Sequence, residues 1–419
     1  MKKGLILLAM VLCAGLLFAG AKVEEAGEVE VLHWWTSGGE AASVAVLKEL
    51  LEKEGYTWKD FAVAGGGGDQ AMTVLRSRAV AGNPPTAAQV KGPQIQDWAE
   101  EGLLTNLDDV AAAEKWDELI PKVLADIMKY KGNYVAVPVN VHRINWMWVN
   151  PDVFEKAGAN IPKTLAEFKE AADKIKAAGL IPVAWGGQPW QEATVFETIV
   201  AAVGGTDFYK KTMVEADPGA MNSPTMIECL KTMKGMKQYT DPGAPGRDWN
   251  LATAMVIKGE AGMQFMGDWA KGEFTAAGKV PDVDYIATHA PGTSHQFLFN
   301  VDSFIMFDVK DKAAKEAQKA MARLILEPKF QEVFNINKGS IPVRMGMPED
   351  PFDIPARLSM KDFAASARSG DLVPSMAHEM ATKRAIRGAI MDTVTAFYNS
   401  DMTAQDAAAR LADAVRAAR

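Results

Sequence analysis

Polar and apolar residues alternate through Glu28-Val29-Glu30-Val31-Leu32-His33, a period of two that predicts a strand. It runs into Trp34-Trp35 and ends at Thr36-Ser37-Gly38-Gly39. The period then changes. Val44, Leu47, Leu50 and Leu51 recur at helical spacing, and Gly55 stops that helix. Next come a strand near Trp58 to Ala64, the run Gly65 to Gly68, a helix from Gln70 to Ala81 and a short apolar strand from Thr86 to Val90. Helices and connections continue through Trp98 to Leu104 and Leu107 to Met128. Alternating strand and helix predicts an α/β fold with a mostly parallel sheet covered by helices.

From Tyr134 to Val149 the pattern changes character. Val135 to Val139 reads as a strand, and Arg143 to Val149 is a second extended run almost at once, which predicts passage into another domain. There, Asn150-Pro151 opens a helix, and Thr164-Leu165-Ala166-Glu167 forms a capping box for a helix ending at Gly179. Ile181 to Trp185 and Ala261 to Met266 read as strands, Asn250 to Lys258 and Asp268 to Ala277 as helices. Phe297 to Phe307 and Ser340 to Arg344 are extended again and predict return crossings. A length of 419 residues leaves room for two sizeable cores.

The first residues add a compartment. Met1-Lys2-Lys3 is a basic start, Leu5 to Phe18 an apolar run, and Ala19-Gly20-Ala21 offers small residues, so 1–21 is expected to be a signal peptide cut after Ala21. The apolar run is shorter than the ~20 residues of a spanning helix, which disfavours an uncleaved anchor. Lipidation at Cys13 is disfavoured too, because Leu12 stands where processing wants a small residue. Cleavage takes the net charge from −8 to −10 through loss of Lys2 and Lys3, which argues against a basic grip on nucleic acid. It also leaves Cys229 as the single cysteine, expected to be a buried structural thiol, with no intramolecular disulfide.

Marks of catalysis are missing. No G-x-S-x-G elbow, complete P-loop or H-E-x-x-H occurs, and the histidines at 33, 142, 289, 295 and 378 lack zinc spacing, so neither metal nor cofactor is expected. Gly65 to Gly68 has anion-binding potential but no following Lys and Ser or Thr; a permissive turn before Asp69 as helix cap is the favoured reading. Tryptophan is distributed unusually, with Trp34-Trp35, Trp146, Trp148, Trp185, Trp190, Trp249 and Trp269 at strand ends or helix starts. Ligands bind beyond the carboxyl ends of strands in open α/β sheets, and indoles there offer flat faces that suit sugar rings. Core filling explains most single tryptophans. For the doublet it fails in part, since successive strand side chains point to opposite faces. Micromolar binding of a hexose asks roughly 0.7 kcal/mol of each of its about 12 heavy atoms, which favours an enclosed polar site made by two closing domains.

At these residues the chain resembles the periplasmic sugar-binding proteins that feed ABC importers, of the maltose-binding-protein superfamily and its glucose-binding branch. The resemblance spans essentially the whole mature chain. It rests on His33-Trp34-Trp35-Thr36-Ser37-Gly38-Gly39-Glu40, the Pro138 crossing with Trp146-Met147-Trp148-Val149-Asn150, Ala254 to Met263, Gly267-Asp268-Trp269, and Asn337 to Arg344. It implies two α/β lobes with three interlobe crossings and a ligand cleft between them: residues 22–139 and 303–343 in the N-terminal lobe, 140–302 and 344–419 in the C-terminal lobe. It also implies an extracytoplasmic monomer that captures a monosaccharide, glucose by expectation, and delivers it to the membrane subunits of an ABC importer.

By that resemblance Trp34, Trp35 and Trp269 form aromatic walls, while Glu40, Gln70, Lys91, Asn300, Asp302, Lys338 and His378 hydrogen-bond the sugar. Each has a plainer rival: Glu40 completes a capping box with Ser37, Lys91 ends a strand and would be solvated there, and His378 would sit on a helix. Asp302, amid aromatics, needs a partner, which a sugar or Lys338 supplies. Arg143 reads equally as an interlobe ion-pair residue or a ligand contact. The alternative of another class is an exported glycoside hydrolase using Glu40 and Asp302 as a carboxylate pair. On the receptor reading, Trp35→Ala or Lys91→Ala weakens sugar binding tenfold or more, about 1.4 kcal/mol, with little loss of fold, as titration would register.

Overall fold

The computed structural model describes residues 27–419, so the expected signal peptide and Cys13 lie outside the described residues. In Glu28–His33 the alternation is realised: Val29 and Val31 are buried, while Glu30 faces out to Arg78 at 2.7 Å and Lys59 at 3.2 Å. The strand ends where the His33 ring accepts the Trp35 N–H at 3.2 Å. Around it the sheet order is Thr57–Ala62, Glu28–His33, Ala87–Val90, Ser303–Met306, Ala136–Pro138. A second sheet runs Ile286–His289, Trp146–Val149, Ala261–Phe265, Ile181–Val183.

Both sheets are mixed rather than mostly parallel, and the crossings are the reason. Ser303–Met306, returning from the second lobe, enters the first sheet antiparallel to both neighbours. Trp146–Val149, arriving from the first lobe, does the same in the second sheet. The remaining pairs are parallel, with Val31 opposite Ala87 and Met263 opposite Val183.

Between the lobes lies a small sheet ordered Ile341–Pro342, Asn140–Arg143, Phe297–Asn300, Leu372–Pro374. The extended runs foreseen around it break more often than their patterns suggest. Residues 136–149 supply strands to three sheets, with breaks at Val139 and at Ile144-Asn145. Phe297 to Phe307 splits at Val301-Asp302 into strands of two different sheets. Two hydrophobic cores flank the crossings, and Phe297–Asn300 serves both: Phe297 and Phe299 pack into the first, Leu298 into the second. Cys229 lies on the buried face of the helix Pro224–Met236, and burial pushes its thiol up to about 12, so it is an inert core group.

Two helix boundaries differ usefully from expectation. Asp69 is the first residue of its helix, Asp69–Val80, rather than the cap, and its carboxylate reaches Arg387 of the second lobe at 3.0 Å. The helix foreseen from Asp268 starts at Ala270, leaving Asp268 free to face the crossings. Where the lobes meet, backbone approaches backbone: a Cβ on Gly39 would lie 2.7 Å from Gly272 C, and Gly39 N donates to Glu273 Oε1 at 3.1 Å. Gly92, at φ 51°, presses on the other lobe, since a Cβ there would lie 2.1 Å from Glu379 O. Gly82, at φ 72°, has open space around it. Gly82→Ala therefore carries only the backbone strain, and Gly92→Ala the strain plus the clash. The expected loss for Gly92→Ala is about 1–3 kcal/mol, larger than for Gly82→Ala, read as the difference in urea midpoints.

Candidate interlobe binding site

A cavity of about 250 Å³ lies between the lobes, and nine of the ten singled-out residues line it: Trp34, Trp35, Glu40, Lys91, Trp269, Asn300, Asp302, Lys338 and His378. Gln70 does not. It is exposed, and its side-chain amide lies against the Gly65 turn instead.

The tryptophan doublet divides its labour because the strand has ended. Trp35 turns into the first core, 2% exposed, with its ring 5.3 Å from Phe334 and 5.7 Å from Phe304. Trp34, half-buried, stays at the cavity wall, and Lys91 Nζ stands 5.0 Å from its ring centre. Glu40 takes the capping role and lines the cavity as well. Oε2 accepts from Thr36 N at 3.2 Å and Ser37 N at 3.3 Å, while Oε1 accepts from Lys338 Nζ at 2.9 Å. Lys338 reaches it from the last turn of the helix Pro328–Lys338.

The floor is ionic. Asp302, set by the break in its strand, accepts from Gln89 Nε2 at 3.1 Å and His142 Nε2 at 3.0 Å. The other ring nitrogen of His142 meets Asp268, whose second oxygen accepts Arg143 N at 2.9 Å. Burial opposes charge on both partners. Nonetheless the two carboxylates raise the His142 imidazole above its ordinary range, and the hydrogen bond and charge of His142, with Lys338 and Lys91 behind, hold Asp302 well below the usual carboxylate range. Asp302 thus finds its partner in His142, while Lys338, paired with Glu40, acts on it only through its charge. Lys91, 3% exposed, has no hydrogen-bond partner among the described residues; burial lowers its ammonium, opposed by Glu379 and Asp302. Asn300 Oδ1 and Ser37 Oγ likewise lack protein partners.

Trp269 supplies a second-lobe plate between two imidazoles, 5.3 Å from His142 and 4.9 Å from His378. His378 Nε2 lies 3.0 Å from Thr194 Oγ1, and burial with the charges of Lys91, Arg387 and His142 keeps its ring neutral. Arg143 is an ion-pair residue, though its partner belongs to the same lobe by the bounds given above rather than to the other: fully buried, it bonds Asp362 at 2.6 Å, and it is not among the residues lining the cavity.

Several cavity residues escape the sequence reading: His142, Gln188, Trp190, Asp248, Trp249 and Asn250. Trp190 and Trp249 had a signal in the tryptophan distribution, and Trp190 is oriented by donating to Gln188 Oε1 at 2.7 Å. Gln188 and Asp248, which bond each other, had none. Trp146, Trp148 and Trp185 are core residues, the last stacked 4.7 Å from Tyr398.

The burial of Trp35 overturns the expectation that Trp35→Ala spares the fold. It is expected to lose about 3–5 kcal/mol of stability, and Trp34→Ala under half of that, by equilibrium unfolding. The floor gives a pH signature. A His142 held above its ordinary 6.5 contributes stability that is complete below that pH and lost as pH rises through the raised value. Asp302, held below 3.8, contributes above that pH and loses its share as pH falls through the lowered value. The destabilisation by His142→Gln is therefore expected to peak between pH 3.8 and 6.5, measured as the melting-temperature difference from the unsubstituted protein across a pH series.

This geometry has relatives. The sequence model described as "Bacterial extracellular solute-binding protein" matches residues 34–328. A protein of Rhizobium meliloti (strain 1021) named "Probable sugar-binding periplasmic protein" is 48% identical over 406 residues, 97% of this chain and 98% of that one. A protein of Brucella melitensis biotype 1 with the same name is 47% identical over 423 residues, covering 100% of both. Among solved structures, a "Chitin oligosaccharide binding protein" superposes with a TM-score of 0.80 at 18% identity, covering 94% of this chain and 99% of that one, a likeness of fold. The fold is therefore the two-lobed periplasmic-binding-protein fold, and the chain belongs to the bacterial extracellular solute-binding protein family.

Proposed function

We propose that the protein is an extracytoplasmic receptor that captures a monosaccharide, with glucose the expected sugar, and passes it to the membrane subunits of an ABC importer. The observation that carries this reading is the cavity itself. Indole faces from both lobes, Trp34, Trp190, Trp249 and Trp269, converge with carboxylates, ammonium groups and amides in one interlobe space. A pyranose presents C–H faces to such plates and hydroxyls to such an ionic rim. The volume, about 250 Å³, lies just below the range of about 300–1,000 Å³ usual for ligand sites, which favours one ring over a long oligosaccharide. Asn300 Oδ1 and Ser37 Oγ, without hydrogen-bond partners among the described residues, and the Lys91 ammonium beside them supply both donors and acceptors for hydroxyls. The sugar-binding names of the two relatives point the same way, as does their description as periplasmic. No described helix is long and apolar enough to cross a membrane. The residue boundaries of the lobes foreseen above, and a monomeric state, form part of the same reading.

The hydrolase alternative gains nothing from the geometry. Retaining or inverting hydrolysis needs one carboxylic acid that gives up a proton. Asp302 is held anionic by His142, and Glu40 accepts from Lys338 and two backbone N–H groups. Chromogenic glycosides are expected to release no aglycone.

The test is a thermal-shift panel of monosaccharides and disaccharides. Glucose is expected to raise the melting temperature in proportion to the logarithm of its concentration. No shift with any sugar would overturn the receptor reading. With the sugar that shifts most, Lys91→Ala is expected to weaken binding tenfold or more, about 1.4 kcal/mol, while leaving far-UV circular dichroism unchanged. An unaltered titration curve would remove Lys91 from the site.

A further inference from the structure

Glu197 is fully buried in the second lobe, lines no part of the cavity and has no cation in contact among the described residues. A carboxylate so placed is expensive unless donors surround it. Here they come from one short turn and one tyrosine. Oε1 accepts from Ser375 Oγ at 2.5 Å; Oε2 accepts from Met376 N at 2.7 Å, Ala377 N at 3.2 Å and Tyr209 OH at 2.8 Å. Ser375 Oγ in turn accepts from His378 N at 3.1 Å. The turn continues into Glu379, held at φ 64°, a conformation that a non-glycine residue adopts only where its surroundings enforce it.

The helix Pro189–Tyr209 explains why these contacts concern the cavity. Trp190, Thr194 and Glu197 recur at spacings of four and three and so share one face. Trp190 lines the cavity, Thr194 holds the His378 ring, and Glu197 holds the backbone that carries it. The Thr194 hydroxyl donates to Trp190 O at 2.8 Å, so its oxygen is left to accept, and His378 Nε2 must carry the hydrogen. His378 Nδ1 then has a lone pair and no protein partner among the described residues.

We infer that Glu197 is a positioning residue: through the turn 375–378 it fixes His378 so that Nδ1 is presented to the cavity as an acceptor for a ligand hydroxyl. This rests on the sugar-receptor reading above and adds to it a residue outside the cavity and a hydrogen-bonding direction inside it. Burial pushes the Glu197 carboxyl up to about 7 against the hydrogen bonds that lower it, with Arg387 the nearby cation it acts upon. A neutral side chain can keep the arrangement, since a donor at the Oε1 position finds Ser375 Oγ while Oε2 goes on accepting. Gln is therefore the conservative replacement and Leu the disruptive one.

The experiment is a double-mutant cycle on the full chain. Its probe is whichever of D-glucose, D-galactose, D-mannose, D-xylose and L-arabinose shifts the melting temperature most. Glu197→Leu is expected to weaken binding about tenfold, Glu197→Gln less than threefold, and Glu197→Leu placed on His378→Ala less than twofold relative to His378→Ala alone. Equal weakening by Glu197→Leu in both backgrounds would overturn the inference, because a merely structural residue is indifferent to His378. Should Glu197→Leu fail to unfold cooperatively, Ser375→Ala replaces it in the cycle, with the same non-additivity expected. Nitrogen-15 shifts of His378 are expected to place the hydrogen on Nε2, and a hydrogen on Nδ1 would overturn the stated direction. If no sugar in the panel binds the unsubstituted protein, the receptor reading falls first and this inference with it, an outcome distinct from additive cycles in a protein that binds.

Discussion

The imidazole of His142, clamped between Asp268 and Asp302, is the interaction on which the rest of the site depends. Its three members come from three different passages of the chain: the first crossing, the approach to the second-lobe helix Ala270–Ala276, and the break between Phe297–Asn300 and Ser303–Met306. Each is buried, and none would tolerate burial alone. An imidazole drawn toward its charged form by two carboxylates satisfies all three at once. It also fixes where the crossings sit relative to each lobe, because Asp302 bonds Gln89 of the first sheet while Asp268 bonds the backbone of Arg143. Well-packed apolar residues would often serve stability equally well in such a place. Retaining ions here makes sense for a cavity that must have polar walls.

The same logic extends outward. Glu40 is tied to Lys338, Arg143 to Asp362, and Arg387 to Asp69 and Glu379, so the charges around the crossings are largely neutralised within the protein. Lys91 is the exception: a buried ammonium with an indole face near it and carboxylates only at longer range. A cavity neutral in sum, with one donor group left over, suits a neutral ligand rich in hydroxyls better than an ionic one, since an extra charge would need its own partner.

How much of this was legible in the sequence follows from which signals are local. The alternation in Glu28–His33, the helical period of Val44, Leu47 and Leu51, and the cap at Ser37 to Glu40 are written in neighbouring residues, and all appear close to where their patterns put them. Extended runs were harder. Apolar residues from 297 to 307 read as one strand, because a hydrophobic pattern does not record which sheet each residue joins; the break that frees Asp302 is imposed by the crossings. Facing was harder still. Trp34 and Trp35 look equivalent on paper, yet Phe304 and Phe334 claim the second for the core, and both belong to segments far along the chain. The resemblance puts Gln70 in the cleft, but the Gly65 turn is where its side chain rests. His142, Gln188 and Asp248 carry no local signature of their roles, since their partners are distant in the chain.

Closure supplies the last constraint. A ligand can hold two lobes together only through contacts that the closed arrangement strengthens, so the walls must come from both lobes and the lobes must be able to meet. Both conditions leave traces in the chain. The walls divide between Trp34, Glu40, Lys91 and Lys338 on one side and Trp190, Trp249 and Trp269 on the other. The meeting is made possible by missing side chains: Gly39 against Gly272 brings backbone to backbone where any β-carbon would prop the lobes apart. Such an approach is geometrically demanding and contributes little by itself, because backbone contact buries small apolar area. Its value lies in letting the indole plates and the ionic floor come close enough to exclude water between them, which lowers the local dielectric and strengthens the hydrogen bonds made by charged groups, each contributing ~1.5–3 kcal/mol. The glycines at the seam and the ions at the floor are thus parts of one arrangement, since neither produces an enclosed polar cavity without the other.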